Sequence, residues 1–203
     1  MRYWRRIAAA LSVAMTLITF PAAADPISVV ALGDSNTNGF GMGRASAWPT
    51  LIEKWLREKN YDVRIRNAGV TARTTGGGLK RLNSAAPEGT DAVIVFLGRN
   101  DLRFKVSAKT TRRNLDQIVR VLRERGIEVL LIGFEPYDIS AIAKEYGADY
   151  YPDFFEGVTE NGVKQSRYVL RFDPFRHLNA SGHKVIAERL LPSIEKLVRR
   201  AGR

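Results

Sequence analysis

The chain has 203 residues, 45% of them hydrophobic and 26% charged, with a formal net charge of +11. That length suits one domain with a sizeable core, and the balance excludes a disordered or membrane-embedded chain. There is no cysteine and there are only two histidines, which excludes disulfides, thiol nucleophiles and cysteine metal sites and disfavours a multi-histidine metal site.

Arg2, Arg5 and Arg6 precede an uncharged run from Ile7 to Phe20, followed by Pro21-Ala22-Ala23-Ala24. A basic start, a short apolar run and an Ala-x-Ala ending predict a secretory signal peptide over 1–24, cleaved before Asp25. The apolar run falls short of the ~20 residues that span a bilayer. The expected mature form is therefore one exported domain over 25–203, periplasmic by preference, with no stable membrane insertion. It stays basic without the three leader arginines, which would suit a polyanionic partner. However, Arg112, Arg113, Arg120, Arg123 and Arg125 share one helical stretch with Asp116 and Glu124, as on a solvated face. Export also argues against nucleic acid, and no nucleic-acid partner is expected.

Ile27 to Leu32 is nearly continuous apolar sequence ending at Gly33, the pattern of a strand buried on both faces. Ala47 to Lys59 reads as a helix with Leu51, Trp55 and Leu56 inward. Val63 to Arg66 alternates apolar and basic residues, as in a strand nearer an edge. Gly76-Gly77-Gly78 predicts a loop leading into a short helix. Ala92 to Leu97 predicts a central strand. Lys109 to Arg125 sets Leu115, Ile118, Val119 and Leu122 at helical spacing before Gly126. Glu128 to Phe134 predicts another buried strand, and Ile139 to Tyr146 a short helix. Asp149 to Val169 has no regular pattern beyond the turn signal Asn161-Gly162. A last helix starts at Asn179. Alternating strands and helices imply an α/β fold, a parallel sheet covered by helices on both faces.

In such folds ligands bind beyond the carboxyl ends of the strands. Just past the predicted strands lie Gly33-Asp34-Ser35-Asn36, Asn67-Ala68-Gly69 and Gly98-Arg99-Asn100-Asp101, and Asp173 to Asn179 precedes the last helix. A hydroxyl, a glycine N–H, an amide and an imidazole can thus meet at one edge. Acyl transfer needs such a set: a serine activated by a histidine base, and donors aimed at the developing oxyanion. Ser35 N–H, Gly69 N–H and the Asn100 amide are the candidate donors. Each motif alone is ordinary turn or cap chemistry; the combination is not.

These blocks resemble the SGNH hydrolase superfamily, the GDSL-type lipases and esterases, over about Val29 to Leu191. Leu32-Gly33-Asp34-Ser35-Asn36-Thr37 corresponds to the first block, Asn67-Ala68-Gly69-Val70-Thr71 to the second, and Leu97-Gly98-Arg99-Asn100-Asp101 to the third. The last block surrounds His177. The sequence is most similar to the periplasmic multifunctional thioesterase, arylesterase and lysophospholipase subgroup.

The resemblance implies a flavodoxin-like three-layer α/β/α sandwich, no cofactor, and hydrolysis of a small acyl ester, thioester or lysophospholipid-type substrate through an acyl-enzyme. It implies Ser35 as nucleophile, His177 as base, and Ser35, Gly69 and Asn100 as the oxyanion hole. Carbohydrate O-acetyl hydrolysis, acyl transfer and an inert envelope-binding module remain alternatives on the same residues.

Three positions depart from the pattern. Asn36 stands where many relatives have leucine. Arg99 replaces a small residue, either for an anionic or strongly polar substrate or facing solvent. Asp173 lies four residues before His177 rather than the usual three, so either Asp173 or a backbone carbonyl orients the imidazole. Tyr137, Phe154 and Phe155 are candidates for an acyl pocket, with ordinary core as the alternative. His183, inside the last helix, is expected to be structural or on the surface.

Overall fold

The computed structural model describes residues 25–203. The leader expected over 1–24 lies outside them. Five parallel strands form one sheet: β1 (Ile27–Gly33), β2 (Val63–Gly69), β3 (Ala92–Phe96), β4 (Glu128–Ile132) and β5 (Asp149–Tyr151). Their order is β2-β1-β3-β4-β5. Each strand alternates its side chains between two faces, and in β1, β3 and β4 both faces are apolar. Val29, Ala31, Ile94, Phe96, Leu130 and Ile132 join one buried cluster, whereas Val30, Leu32, Val93, Val95, Val129 and Leu131 join the other.

The first cluster is closed by α2 (Trp48–Glu58) and α8 (Ala180–Ala201), through Trp48, Ile52, Leu56, Ile186, Leu190, Ile194 and Leu197. The second is closed mainly by α6 (Ala108–Glu124), through Leu115, Ile118, Val119 and Leu122 at the spacing read from the sequence. The result is the expected three-layer sandwich. The inward face of α2 is Trp48, Ile52 and Leu56; Leu51 and Trp55 are only partly buried.

Four short helices lie at or near the strand ends: α1 (Ser35–Asn38), α3 (Thr75–Lys80), α4 (Leu82–Ala85) and α5 (Arg99–Arg103). Gly76-Gly77-Gly78, expected as a loop, lies within α3. A Cβ at Gly78 would sit 2.4 Å from Leu97 Cδ1, so a larger residue there would have to displace that side chain. Between β4 and β5 runs α7 (Ser140–Glu145).

The stretch without a regular pattern contains β5 and then a two-stranded hairpin, β6 (Thr159–Glu160) and β7 (Val163–Lys164). Its turn is Asn161-Gly162, with φ of 49° and 74°, the paired positive angles that favour this dipeptide. The three-residue β5 and two-residue hairpin strands are too short to show a period of two.

His183 is buried, and its Nδ1 accepts the Trp48 N–H at 3.3 Å, joining α8 to the start of α2. Burial, and secondarily the charge of His177, pushes its pKa down to about 4 from 6.5. The unfolded chain therefore takes up a proton there, as pH falls from 6.5 towards 4, that the folded chain refuses. Stability from this group is complete above that window and falls across it by about 3 kcal/mol. Urea midpoints of His183→Asn should accordingly fall less than those of the unsubstituted protein between pH 7 and pH 4.5. Parallel declines would show that His183 is not the acid-sensitive group.

Candidate active site

Strand register brings the site together. Gly33 pairs with Gly69 on one side and with Phe96 on the other, so β1, β2 and β3 end level. The chain goes from β1 out to β2 and then returns across β1 to β3. That reversal leaves a crevice beyond the ends of β1 and β3, where ligands bind in open α/β sheets. Ser35 leaves β1 and Asn100 leaves β3 at this point.

Asp34 caps α1. Its Oδ1 accepts from Asn36 N at 2.8 Å and Asn36 Nδ2 at 3.1 Å, while its Oδ2 accepts from Asn100 Nδ2 at 3.2 Å. One carboxylate thus couples the two strand-end motifs. Complete burial raises its pKa against the lowering effect of the Asn36 bonds and the charges of Arg99 and His177. Asp101, next to Asn100, is also buried and accepts from Thr75 N at 2.8 Å and from the Thr75 and Thr111 hydroxyls. It ties α5 to α3 and α6.

The Ser35 hydroxyl lies 3.0 Å from His177 Nε2, and His177 Nδ1 lies 2.7 Å from Asp173 Oδ2. Ser35 is buried, and the His177 and Asp173 side chains are 13% and 11% exposed. The four-residue spacing is absorbed by a turn. Arg176 N donates to Asp173 O at 3.0 Å, and Arg176 takes the left-handed region at φ 53°. Asp173 Oδ1 accepts from Phe175 N at 3.2 Å, while Oδ2 accepts from His177 N as well as facing its ring. Burial raises the Asp173 pKa, but the two backbone N–H groups and the imidazole outweigh it and leave the carboxyl below its usual range. Of the two sequence alternatives, the carboxylate rather than a carbonyl faces Nδ1. The Phe40 ring packs 4.5 Å from the imidazole.

The expected oxyanion donors fare differently. Ser35 N–H is at the first turn of α1, where no intrahelical acceptor exists. Asn100 Nδ2 lines the Ser35 cleft, held by long bonds of 3.2 Å to Asp34 Oδ2 and Arg73 O. Gly69 is closely packed as well as a candidate donor. Its N–H donates to Asn67 Oδ1 at 3.0 Å, and its Cα lies beneath α1. A Cβ there would meet Asn38 N at 2.3 Å and Asp34 O at 2.8 Å. Like the Asn100 amide, the Gly69 N–H is engaged by a protein acceptor in this structure. Farther along the same loop Ala72 holds φ 59°, a strained angle for a non-glycine residue, immediately before Arg73.

The aromatic candidates separate as well. Phe154 is core, stacked on Phe96 at 3.9 Å between centroids. Tyr137 packs edge-on against Phe134 and lines a different cleft. Only Phe155 reaches the chamber beside the Ser35 cleft, with Arg99 over its ring at 5.2 Å. Arg99 lines both cavities rather than facing open solvent. Sequence reading missed Lys164, Phe175 and Arg176, which also line this space. The Asn161-Gly162 turn was the available signal, since it folds Lys164 back towards the His177 loop.

A buried hydroxyl, an imidazole and a carboxylate in one hydrogen-bonded line can move a proton off an attacking oxygen and return it to a leaving group. Residues 31–185 match the GDSL-like Lipase/Acylhydrolase family. The chain is 33% identical over 159 residues to the esterase TesA of Pseudomonas aeruginosa, covering 71% of this chain and 78% of that protein. It is 32% identical over 120 residues to the thioesterase 1/protease 1/lysophospholipase L1 of Escherichia coli K12, covering 58% of this chain and 55% of that one. A crystal structure of TesA superposes with a TM-score of 0.72 at 26% identity, over 84% of this chain and 99% of that chain. The psychrotrophic esterase EstA from Pseudoalteromonas shares the fold at a TM-score of 0.73 and 20% identity, over 85% of this chain and 99% of that chain. The chain belongs to the GDSL-like lipase/acylhydrolase family and is a hydrolase acting on ester bonds.

Gly69→Ala tests the packing role assigned to that glycine. A methyl group placed against backbone should cost about 2–3 kcal/mol and lower the melting temperature by roughly 5–10 °C. A melting temperature unchanged by the substitution would mean that the space beneath α1 is not filled as described.

Proposed function

We propose that the chain is an exported serine esterase and thioesterase whose nucleophile is Ser35. The observation that carries this reading is the continuous line from Asp173 Oδ2 through His177 to Ser35 Oγ, at 2.7 Å and 3.0 Å. Similarity to an esterase and to a thioesterase/lysophospholipase supports the range of acyl substrates. The basic, apolar and Ala-x-Ala segments of residues 1–24 support export, with a mature domain over 25–203.

In the first half-reaction Ser35 Oγ attacks the acyl carbonyl carbon while His177 Nε2 takes the hydroxyl proton. Asp173 accepts the Nδ1–H bond and stabilises the imidazolium that forms, without taking the proton itself. The carbonyl electron pair moves onto oxygen, where Ser35 N–H, Gly69 N–H and the Asn100 amide are the candidate donors. One of the long Asn100 bonds must yield to that oxyanion. Collapse expels the alcohol or thiol, which receives the proton from His177, and leaves an acyl-Ser35 ester. Water then repeats the sequence, deprotonated by His177, and releases the acid.

Ser35→Ala should lower turnover of short-chain nitrophenyl esters by about 10⁴-fold or more and abolish labelling by a fluorophosphonate probe. Unchanged turnover would remove Ser35 from the chemistry. Asp173→Ala should lower kcat by roughly 10³-fold with the fold intact by circular dichroism. A loss below tenfold would instead favour a Ser35–His177 dyad.

A further inference from the structure

Two cavities adjoin at the C-terminal edge of the sheet. The cleft holding Ser35 and His177 has a volume of about 130 Å³, and the neighbouring chamber about 260 Å³. Arg99, Lys164 and Phe175 line both, so they form the throat between the reacting hydroxyl and the chamber. Arg176 lines the chamber and Arg103 the cleft.

Some cations elsewhere on the surface are ion-paired. Arg120, Arg123, Arg199 and Arg200 each meet a carboxylate within 2.9 Å. Among the described residues, none of Arg99, Arg103, Lys164 and Arg176 has a carboxylate within 4.0 Å. Glu135 and Asp153 line the chamber without reaching them, and the Asp34 carboxylate is turned to Asn36 and Asn100.

The throat cations are instead held by aromatic faces and backbone. Arg99 lies over Phe134 and Phe155, Lys164 lies 4.4 Å from the Phe155 centroid, and Arg103 lies 3.7 Å from that of Phe175. Lys164 Nζ donates to Arg176 O at 2.9 Å, and the Arg176 guanidinium donates back to Lys164 O. Burial, with Arg99 close by, depresses Lys164 to about 8, and burial lowers Arg99 too. Asp34 and Asp153 act on Arg99, and Asp34 and Asp173 on Lys164, from beyond ion-pair distance, and partly buried cations with no direct ion pair are costly to hold unless something anionic joins them.

We propose that this throat is an anion subsite: the ester substrate carries a carboxylate or phosphate group that sits between Arg99 and Lys164 while Ser35 attacks its acyl carbon. The proposal rests on the esterase reading and narrows it to anionic substrates. It also gives the β6–β7 hairpin a task, since this element delivers Lys164. The anion belongs either to the acyl half or to the leaving half of the substrate.

Three anionic esters and two neutral analogues, matched for ester class, separate these cases. The acyl arm compares mono-p-nitrophenyl glutarate with p-nitrophenyl valerate. The leaving-group arm compares 4-acetoxybenzoate and 4-acetoxyphenyl phosphate with 4-acetoxybenzamide. In at least one arm the anionic ester should lead in kcat/KM by about tenfold or more. The arm that responds identifies the half bearing the charge. That advantage should shrink fivefold or more in Arg99→Gln and in Lys164→Gln, and largely persist in Arg99→Lys, about as expected for a charge-assisted contact. Equal rates for charged and neutral members in both arms would overturn the proposal, as would an advantage that survives both glutamine variants.

Calorimetric titration of Ser35→Ala keeps the two readings apart. Binding of 4-hydroxybenzoate or glutarate, but not of 4-hydroxybenzamide, with no ester hydrolysed by the unsubstituted enzyme, would sink the esterase reading and leave the subsite standing. Hydrolysis of neutral esters with no anion advantage would do the reverse.

Discussion

The carboxylate of Asp34 is the contact on which the site's geometry depends. One oxygen caps the first turn of α1, and the other holds the Asn100 amide at the start of α5. The end of β1 and the end of β3 are thereby coupled through a single buried side chain. Such a group is expensive to bury unless every acceptor position is used. Here the Asn36 backbone and side chain and the Asn100 amide occupy it, which places Ser35 and Asn100 in one cleft before any substrate arrives. Asp101 extends the arrangement to α3 and α6 through Thr75 and Thr111. The rigid frame is therefore polar at its upper edge and apolar through both layers below.

The proposed base comes from a different kind of structure. His177 stands on a loop rather than at a strand end, and the loop is shaped by its own aspartate. Asp173 accepts two backbone N–H bonds within its turn and also faces the imidazole. The same carboxylate that orients the ring thus folds the segment carrying it. Arg176 bears the strain of this arrangement in its left-handed conformation, and its guanidinium and carbonyl both bond the hairpin at Lys164. Hairpin, turn and imidazole form one braced unit, packed on one side by Phe40.

Cations are held in two ways in this molecule. The ion-paired surface arginines mostly sit beside acids on the same helix or on a neighbouring strand, where such pairs contribute little. Around the throat, aromatic faces and carbonyls hold Arg99, Arg103, Lys164 and Arg176, with the carboxylates of the two cavities beyond ion-pair distance. Their convergence beside Ser35 is what the proposed anion subsite rests on. Net charge alone did not indicate that placement.

The sequence by itself determined the layers. Continuous apolar runs in β1, β3 and β4, and the helical spacing of Leu115, Ile118, Val119 and Leu122, are local patterns that follow directly from strand and helix periodicity. It also determined which residue types stand at the strand ends, because each motif immediately follows its strand. Four matters were decided only by the tertiary structure. Gly69 is closely packed because α1 folds back over it. Asp173 reached His177 because a left-handed Arg176 takes up the longer spacing. Phe154 joined the core while Phe155, its neighbour, turned to the chamber. Lys164 came to Arg99 through a hairpin whose two-residue strands are too short to leave a periodic signal. Each depends on contacts between segments far apart in the chain, and no local pattern encodes which of two adjacent side chains will face a cavity.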